Sequence, residues 1–221
     1  MSIVVQTLSE QIFSLVRDRI ISGRIPVDTA IRQDALAAEL GVSKIPLREA
    51  LARLEQEGLL ISQANRGFFV RPLNADEVEE VYALRLKLEP DAVGEAAKVA
   101  TDADRKAARA ALDELDVAVS GDKTQVGRLN RAFHMALIRP LHRQVTIQII
   151  ERLNIICERY VSKHLEPAGR DDRAHNEHSA LLELWSAGNS DEVSALMRQH
   201  IAMTLDDLRK QFEMEKTAKS A

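Results

Sequence analysis

Three histidines stand on stripes that are otherwise apolar. His134 follows Val126, Asn130 and Phe133 and precedes Leu137. His178 precedes Leu181, Leu182 and Trp185, and His200 follows Val193, Leu196 and Met197. At helical spacing each imidazole faces an interior, and the three come from three different segments. Buried imidazoles need partners. Three that converge suit a divalent transition metal such as Zn²⁺ or Ni²⁺; alternatively, each satisfies a local hydrogen bond of its own. Asn130, one turn before His134, adds a neutral carbonyl oxygen to the same stripe. His142, His164 and His175 fall near helix ends or on polar faces and are set aside. Arg85 lies on the side of its helix that carries Val78, Val81, Tyr82, Leu88 and Ala92. It either pairs with a nearby carboxylate such as Glu89 or serves as a fork for the carboxylate of an effector. A metal beside an arginine suits a small organic acid.

Three histidines around an open coordination position could also activate water, as in a metal-dependent hydrolase. The sequence has no His-Glu-x-x-His pair, Glu177 beside His178 is not an obvious base, and an enzyme has no need of the module at 34–70. The chain is therefore read as a non-enzyme, with hydrolysis as the alternative.

A second set of residues suits nucleic acid. Asp34 to Leu40 predicts a short helix, Gly41-Val42 a turn, Ser43 an N-cap, and Lys44 to Gly58 a second helix. Pro46 falls in its first turn, where a missing N–H is tolerated. Leu47, Ala50, Leu51 and Leu54 form the inner stripe, leaving Lys44, Ile45, Arg48 and Arg53 on other faces. In a helix-turn-helix the first turn of the second helix enters the major groove, where Lys and Arg contact guanine or phosphate. Two β-prone runs, 59–62 and 68–70, flank Gln63-Ala64-Asn65-Arg66-Gly67 and predict a hairpin. Its tip carries Arg66 for a phosphate or a narrow minor groove and Gly67 for close backbone approach.

These residues must be held by a framework that the rest of the chain supplies. Thr7 to Ser22 carries Leu8, Ile12, Leu15, Val16 and Ile20 at helical spacing and stops at Gly23. Beyond Pro72 and Asn74 the pattern predicts helices at about 75–99, 102–120, 123–138, 142–164, 170–187 and 190–214, punctuated by Gly121, Pro140, Pro167, Gly169 and Gly188. The expected fold class is mainly α: a winged helix-turn-helix over 1–73, an all-helical bundle with a core cavity over 74–215, and a disordered tail over 216–221.

The gross numbers agree with this and exclude little else. The 221 residues are 45% hydrophobic but only 4% aromatic, so the core is built from Leu, Ile, Val and Ala. The single Cys157 excludes a disulfide framework and reads as a small buried hydrophobe. Net charge is −4, made of +1 over residues 1–72 and −5 over 73–221, an asymmetry that permits a DNA partner without supporting it. The opening Met1 to Val5 lacks the charge of a signal peptide and no stretch reaches transmembrane length. A cytoplasmic protein without a membrane partner is expected.

The run from Leu36 to Leu51, with Leu54, Glu57-Gly58-Leu59 and Asn65-Arg66-Gly67, resembles the signature of the GntR family of bacterial regulators. The resemblance covers nearly all of 8–72. It implies that Lys44, Arg48, Arg66 and Gly67 touch DNA. The family usually has Arg where Lys44 stands and Thr where Ile45 stands, and Lys cannot form the bidentate fork of Arg. The segment from Val81 to Pro90, the stretch Asn130 to His134 and the spacing from His178 to His200 resemble an FCD-type sensor domain. That resemblance implies His134, His178 and His200 as metal ligands, with Asn130 where an Asp usually stands, and Arg85 and Asn130 as effector contacts. It also implies a homodimer on a pseudo-palindromic DNA operator and, as the commoner behaviour, a repressor released by a small carboxylate effector.

Overall fold

The structure, a computed structural model, describes residues 7–121, 123–164 and 169–220. The chain divides into two compact units between Leu73 and Asn74.

In the first unit, α1 (Leu8–Ile21) opens with a reciprocal cap. The Glu10 amide donates to Thr7 Oγ1 at 3.2 Å and the Thr7 amide donates to Glu10 Oε2 at 2.8 Å. Ile12, Phe13, Val16 and Ile20 are buried, whereas Leu8 and Leu15 of the expected stripe are exposed within this unit. α2 (Gln33–Leu40) ends at Gly41, whose φ of 66° closes the helix in the left-handed region. α3 (Lys44–Gln56) follows Ser43, which takes the extended N-cap backbone without a side-chain cap bond. Leu47, Ala50, Leu51 and Leu54 are fully buried and pack α3 on α1. Each large side chain so removed from water contributes about 1.5–3 kcal/mol. Strands β1 (Leu60–Gln63) and β2 (Gly67–Val70) pair antiparallel, with Leu60 opposite Val70 and Gln63 opposite Gly67. Leu60 and Val70 close the core beneath the helices, and the turn between the strands passes through Asn65 at φ 60°.

Among its described residues, every regular element of the second unit is a helix. α4 (Ala75–Val99) is capped by Asn74 Oδ1, which accepts from the Asp76 and Glu77 amides. α5 (Asp102–Ser120) starts with a Thr101–Asp104 capping box. α6 (Val126–Ile138) is preceded by a tight 3₁₀ turn at Lys123–Gln125. α7 (Gln144–His164), α8 (Arg170–Ser186) and α9 (Ser190–Ser220) complete the unit. The last helix runs through 216–220, which the sequence reading assigns to a disordered tail. No glycine or proline interrupts the chain after Ser190, and Lys, Glu, Gln, Met and Ala are good helix formers.

Two close approaches set the helix positions. Pro90 lies inside α4 and has no N–H for the Leu86 carbonyl; Arg198 Nη1 of α9 donates to that carbonyl at 2.9 Å. Nearby, a Cβ on Gly94 would lie 2.2 Å from Ser194 Oγ and 2.8 Å from the Ser190 carbonyl, so only glycine lets α4 and α9 meet there. On the other side, a Cβ on Gly127 of α6 would lie 2.7 Å from the Glu158 carbonyl of α7. Backbone cannot yield as a flexible side chain can. Gly127→Ala is therefore expected to cost about 1–3 kcal/mol, read as an earlier denaturation midpoint; an unchanged midpoint would show that α6 and α7 can separate freely.

Candidate metal centre and nucleic-acid interface

α6, α8 and α9 each deliver one imidazole to the centre of the second unit. His134, His178 and His200 are 0%, 3% and 8% exposed. One ring nitrogen from each lies within 4.8 Å of the others, and the ring centroids are 4.9–5.4 Å apart. Both nitrogens of His134 are buried with no hydrogen-bond partner. A buried polar group left so costs about 1–3 kcal/mol, and the donor set accounts for it: neutral imidazole nitrogens are transition-metal ligands. Burial, then the positive potential of His200, Arg85 and His178, pushes His134 well below the usual histidine range. The ring is thereby held in the neutral, metal-binding form.

His200 is oriented from behind. Its Nδ1 is 2.6 Å from Glu177 Oε2, which fixes the proton on Nδ1 and turns the Nε2 lone pair to the other side. Glu177 Oε1 lies 3.3 Å from Arg173, which in turn pairs with Asp207. Sequence reasoning weighed Glu177 only as a base and set it aside. Its i,i+4 spacing from Arg173 was a signal of a held carboxylate, but its bond to His200, 23 residues away, had none.

The triad forms part of the wall of a cavity of about 350 Å³ that Asn130 and Arg85 also line. Arg85 fulfils the pairing alternative: Nε donates to Glu89 Oε1 at 2.5 Å and Nη2 to Oε2 at 3.1 Å. Burial opposes the guanidinium charge, but the Glu89 carboxylate beside it keeps the group charged. Both Nε and Nη2 are engaged by Glu89, and the residue still lines the cavity. Glu89 itself is fully buried, accepts from Asn154 Nδ2 at 2.8 Å and lies 3.7 Å from His134 Nδ1. Sequence reasoning treated it only as an example of a partner for Arg85. His175, set aside as a polar-face residue, also lines the cavity and sits 2.8 Å from Asp116. His142 adopts a left-handed backbone after α6, and the side chain of His164 lies outside the described residues. Burial pushes the Cys157 thiol up, as befits a core residue.

In the first unit, Lys44, Ile45 and Arg48 all stand exposed along the first two turns of α3. Ile45 is 72% exposed, so it contributes nothing to the core. Lys44 pairs with Asp34 of α2. Arg53 is committed elsewhere: its guanidinium lies 4.2 Å from the Phe13 ring centroid. Arg66 is exposed in the turn of the hairpin, 5.2 Å over Phe69, and Gly67 follows at φ 87°, a conformation side chains rarely adopt.

Residues 8–70 match the bacterial regulatory proteins of the gntR family, and residues 80–203 match the FCD domain. The chain belongs to the GntR family. It is 32% identical over 179 residues to the Nta operon transcriptional regulator of Aminobacter aminovorans, covering 80% of this chain and 83% of that protein. It is 25% identical over 194 residues to the HTH-type transcriptional repressor GlaR of Escherichia coli K12, covering 84% and 88%. Among solved structures, Escherichia coli McbR/YncC superposes with a TM-score of 0.76 at 23% identity, over 94% of this chain and all of that one. As a GntR regulator with an FCD domain, the protein is a DNA-binding transcriptional regulator and not an enzyme.

The histidines of this GntR regulator thus serve no hydrolytic reaction. Among the described residues no helix is long and apolar enough to cross a membrane. Removing the carboxylate behind His200 isolates what it does for the triad. In Glu177→Ala, affinity for a divalent ion is expected to fall about 10–100-fold, measured by competition with a chromophoric chelator. Wild-type affinity in the variant would mean that the orientation of His200 is set without Glu177.

Proposed function

We propose that this GntR regulator is a repressor that a small organic acid releases from its operator. The acid binds beside a divalent transition metal, Zn²⁺ or Ni²⁺, held by His134, His178 and His200. The observation that carries this reading is His134, buried, neutral and unbonded at both nitrogens, within reach of two other buried imidazoles. Asn130 would add a neutral carbonyl oxygen where an acidic ligand is usual in the family. It leaves the site one negative charge poorer and hence more receptive to an anionic ligand.

The ion, when bound, supplies positive charge and open coordination positions for a carboxylate. The chain's own residues do the rest. Glu177 holds the His200 proton on Nδ1. Arg85, which lines the cavity, would meet the second oxygen of the acid, while Glu89 anchors its guanidinium. Surrounding Leu, Val and Phe side chains exclude water and strengthen both contacts.

DNA reading falls to Lys44, Ile45 and Arg48 on α3 and to Arg66 and Gly67 in the wing. Lys44 gives a point charge to a phosphate or guanine. Ile45 offers an apolar surface suited to a thymine methyl. A homodimer places two such helices on a pseudo-palindromic operator. A DNA target also implies work in the cytoplasm. Release follows if the acid binds the DNA-competent arrangement less well than the other; linkage then requires the operator to weaken acid binding by the same factor. The repressor of Escherichia coli among its relatives supports that sign of control.

The metal is tested by purifying the protein without chelator and measuring bound metal by mass spectrometry, beside His134→Ala and His178→Ala. Close to one ion per chain, lost in both variants, is expected. A metal-free wild type would overturn the metal and leave the histidines and Arg85 as a directly binding polar pocket. For DNA, Arg48→Ala is expected to reduce the slope of log affinity against log salt by about 1. Ile45→Ala is expected to leave that slope in place and to relax selection of thymine at one position per half-site in a random-duplex selection. Thymine selection unchanged in Ile45→Ala would remove Ile45 from the base-reading set.

A further inference from the structure

The cavity that the triad lines changes character from floor to mouth. On its floor stand Tyr82, Arg85 and the three histidines, all at most 8% exposed. Toward solvent the same wall carries three carboxylates: Asp116 from α5, and Asp171 and Asp172 from the first turn of α8. The side chains of Asp116 and Asp171 are 34% and 35% exposed, and Asp172 is exposed.

α8 lays this gradient out along one line. Asp171, Ala174, His175 and His178 all line the cavity, at i, i+3, i+4 and i+7. A rise of 1.5 Å per residue puts Asp171 roughly 10 Å along the axis from the ligand His178. First-turn acids stabilise a helix N-terminus, which accounts for Asp171 and Asp172 but not for Asp116, which reaches the same cavity from another helix. The cationic groups close to these acids do not cancel them. Lys123 lies 4.0 Å from Asp171 and is two-thirds exposed, where an ion pair contributes little. His175 meets Asp116 alone. Among the described residues none bonds the side-chain carboxylate of Asp172.

A dicarboxylate whose head sits on the floor would leave its far carboxylate facing three others, a like-charge contact that disfavours binding, and a plain monocarboxylate would leave those three carboxylates without a cation. We infer that the effector is a carboxylate bearing a cationic nitrogen at its far end, with the carboxylate toward His134, His178, His200 and Arg85 and the ammonium between Asp116, Asp171 and Asp172. This rests on the proposed carboxylate site at the triad and adds the chemistry of the other end. It also gives the cavity a means of refusing plain metabolic acids, which share the head group but not the charge at the tail.

The test is calorimetric titration of the full-length, zinc-loaded protein with three probes of matched length: hexanoate, adipate and 6-aminohexanoate. The amino acid is expected to bind at least tenfold more tightly than hexanoate, with adipate weakest. In Asp171→Asn/Asp172→Asn, and separately in Asp116→Asn, the gap between 6-aminohexanoate and hexanoate is expected to shrink. Hexanoate binding as tightly as 6-aminohexanoate, adipate binding best, or a gap that survives both variants would overturn the inference while leaving the carboxylate site intact. Binding of no probe, or hexanoate binding unaltered by His134→Ala, would overturn the underlying site and the inference with it.

Discussion

An imidazole placed in the middle of a helical bundle must find a hydrogen bond or a metal, or its desolvation counts against folding. The second unit places three there. His134 on α6, His178 on α8 and His200 on α9 meet because their helices approach closely. Gly127 lets α6 reach the backbone of α7, and Gly94 lets α4 lie against α9. Around the triad several buried polar groups are tied to one another: Arg85 to Glu89, Glu89 to Asn154, and His200 to Glu177. Burial and the positive surroundings together hold His134 well below the usual histidine range. A dication at this point would reverse that logic, because metal binding uses the neutral rings as they stand.

The two units use polar side chains in opposite ways. In the N-terminal unit the functional groups are those left out of the core. Leu47, Ala50, Leu51 and Leu54 hold α3 in place, and Lys44, Ile45 and Arg48 stand exposed outside that core, Lys44 paired with Asp34. Exposed isoleucine on such a helix carries a hydration cost that only a partner removes. In the C-terminal unit the functional groups are buried, and their chemistry comes from low dielectric and fixed orientation. The first arrangement suits a surface that meets a large polyanion, and the second suits an enclosed site.

Much of this was legible along the chain. Helical periodicity placed His134, His178 and His200 on inward stripes, because a residue at i, i+3, i+4 and i+7 shares a face whatever the tertiary fold. The order helix, glycine turn, helix and hairpin, with Lys44 and Arg48 opposite a leucine stripe, made the helix-turn-helix and its wing legible on the same ground. Arg85 had two readings in the sequence, and the structure gives it a partner in Glu89 while keeping it on the cavity wall. Local patterns failed where they met longer-range terms: Leu8 and Leu15 fit the stripe of α1 yet stand exposed within their unit, and α9 outlasts its apolar pattern because its residues favour helix to the end.

The sequence by itself determined the order of the elements, the inward stripes of α3 and of the three histidines, and the family, since each depends on residue type and on spacing of a few positions. Only the tertiary structure decided which faces meet. That Glu177 backs His200, that Asp116 from α5 and Asp171 from α8 share one cavity mouth, and that Glu89 lies beside His134 are facts about packing between segments 20 or more residues apart. Packing of that kind depends on the volumes and glycine gaps of several helices at once, so no short window of sequence contains it.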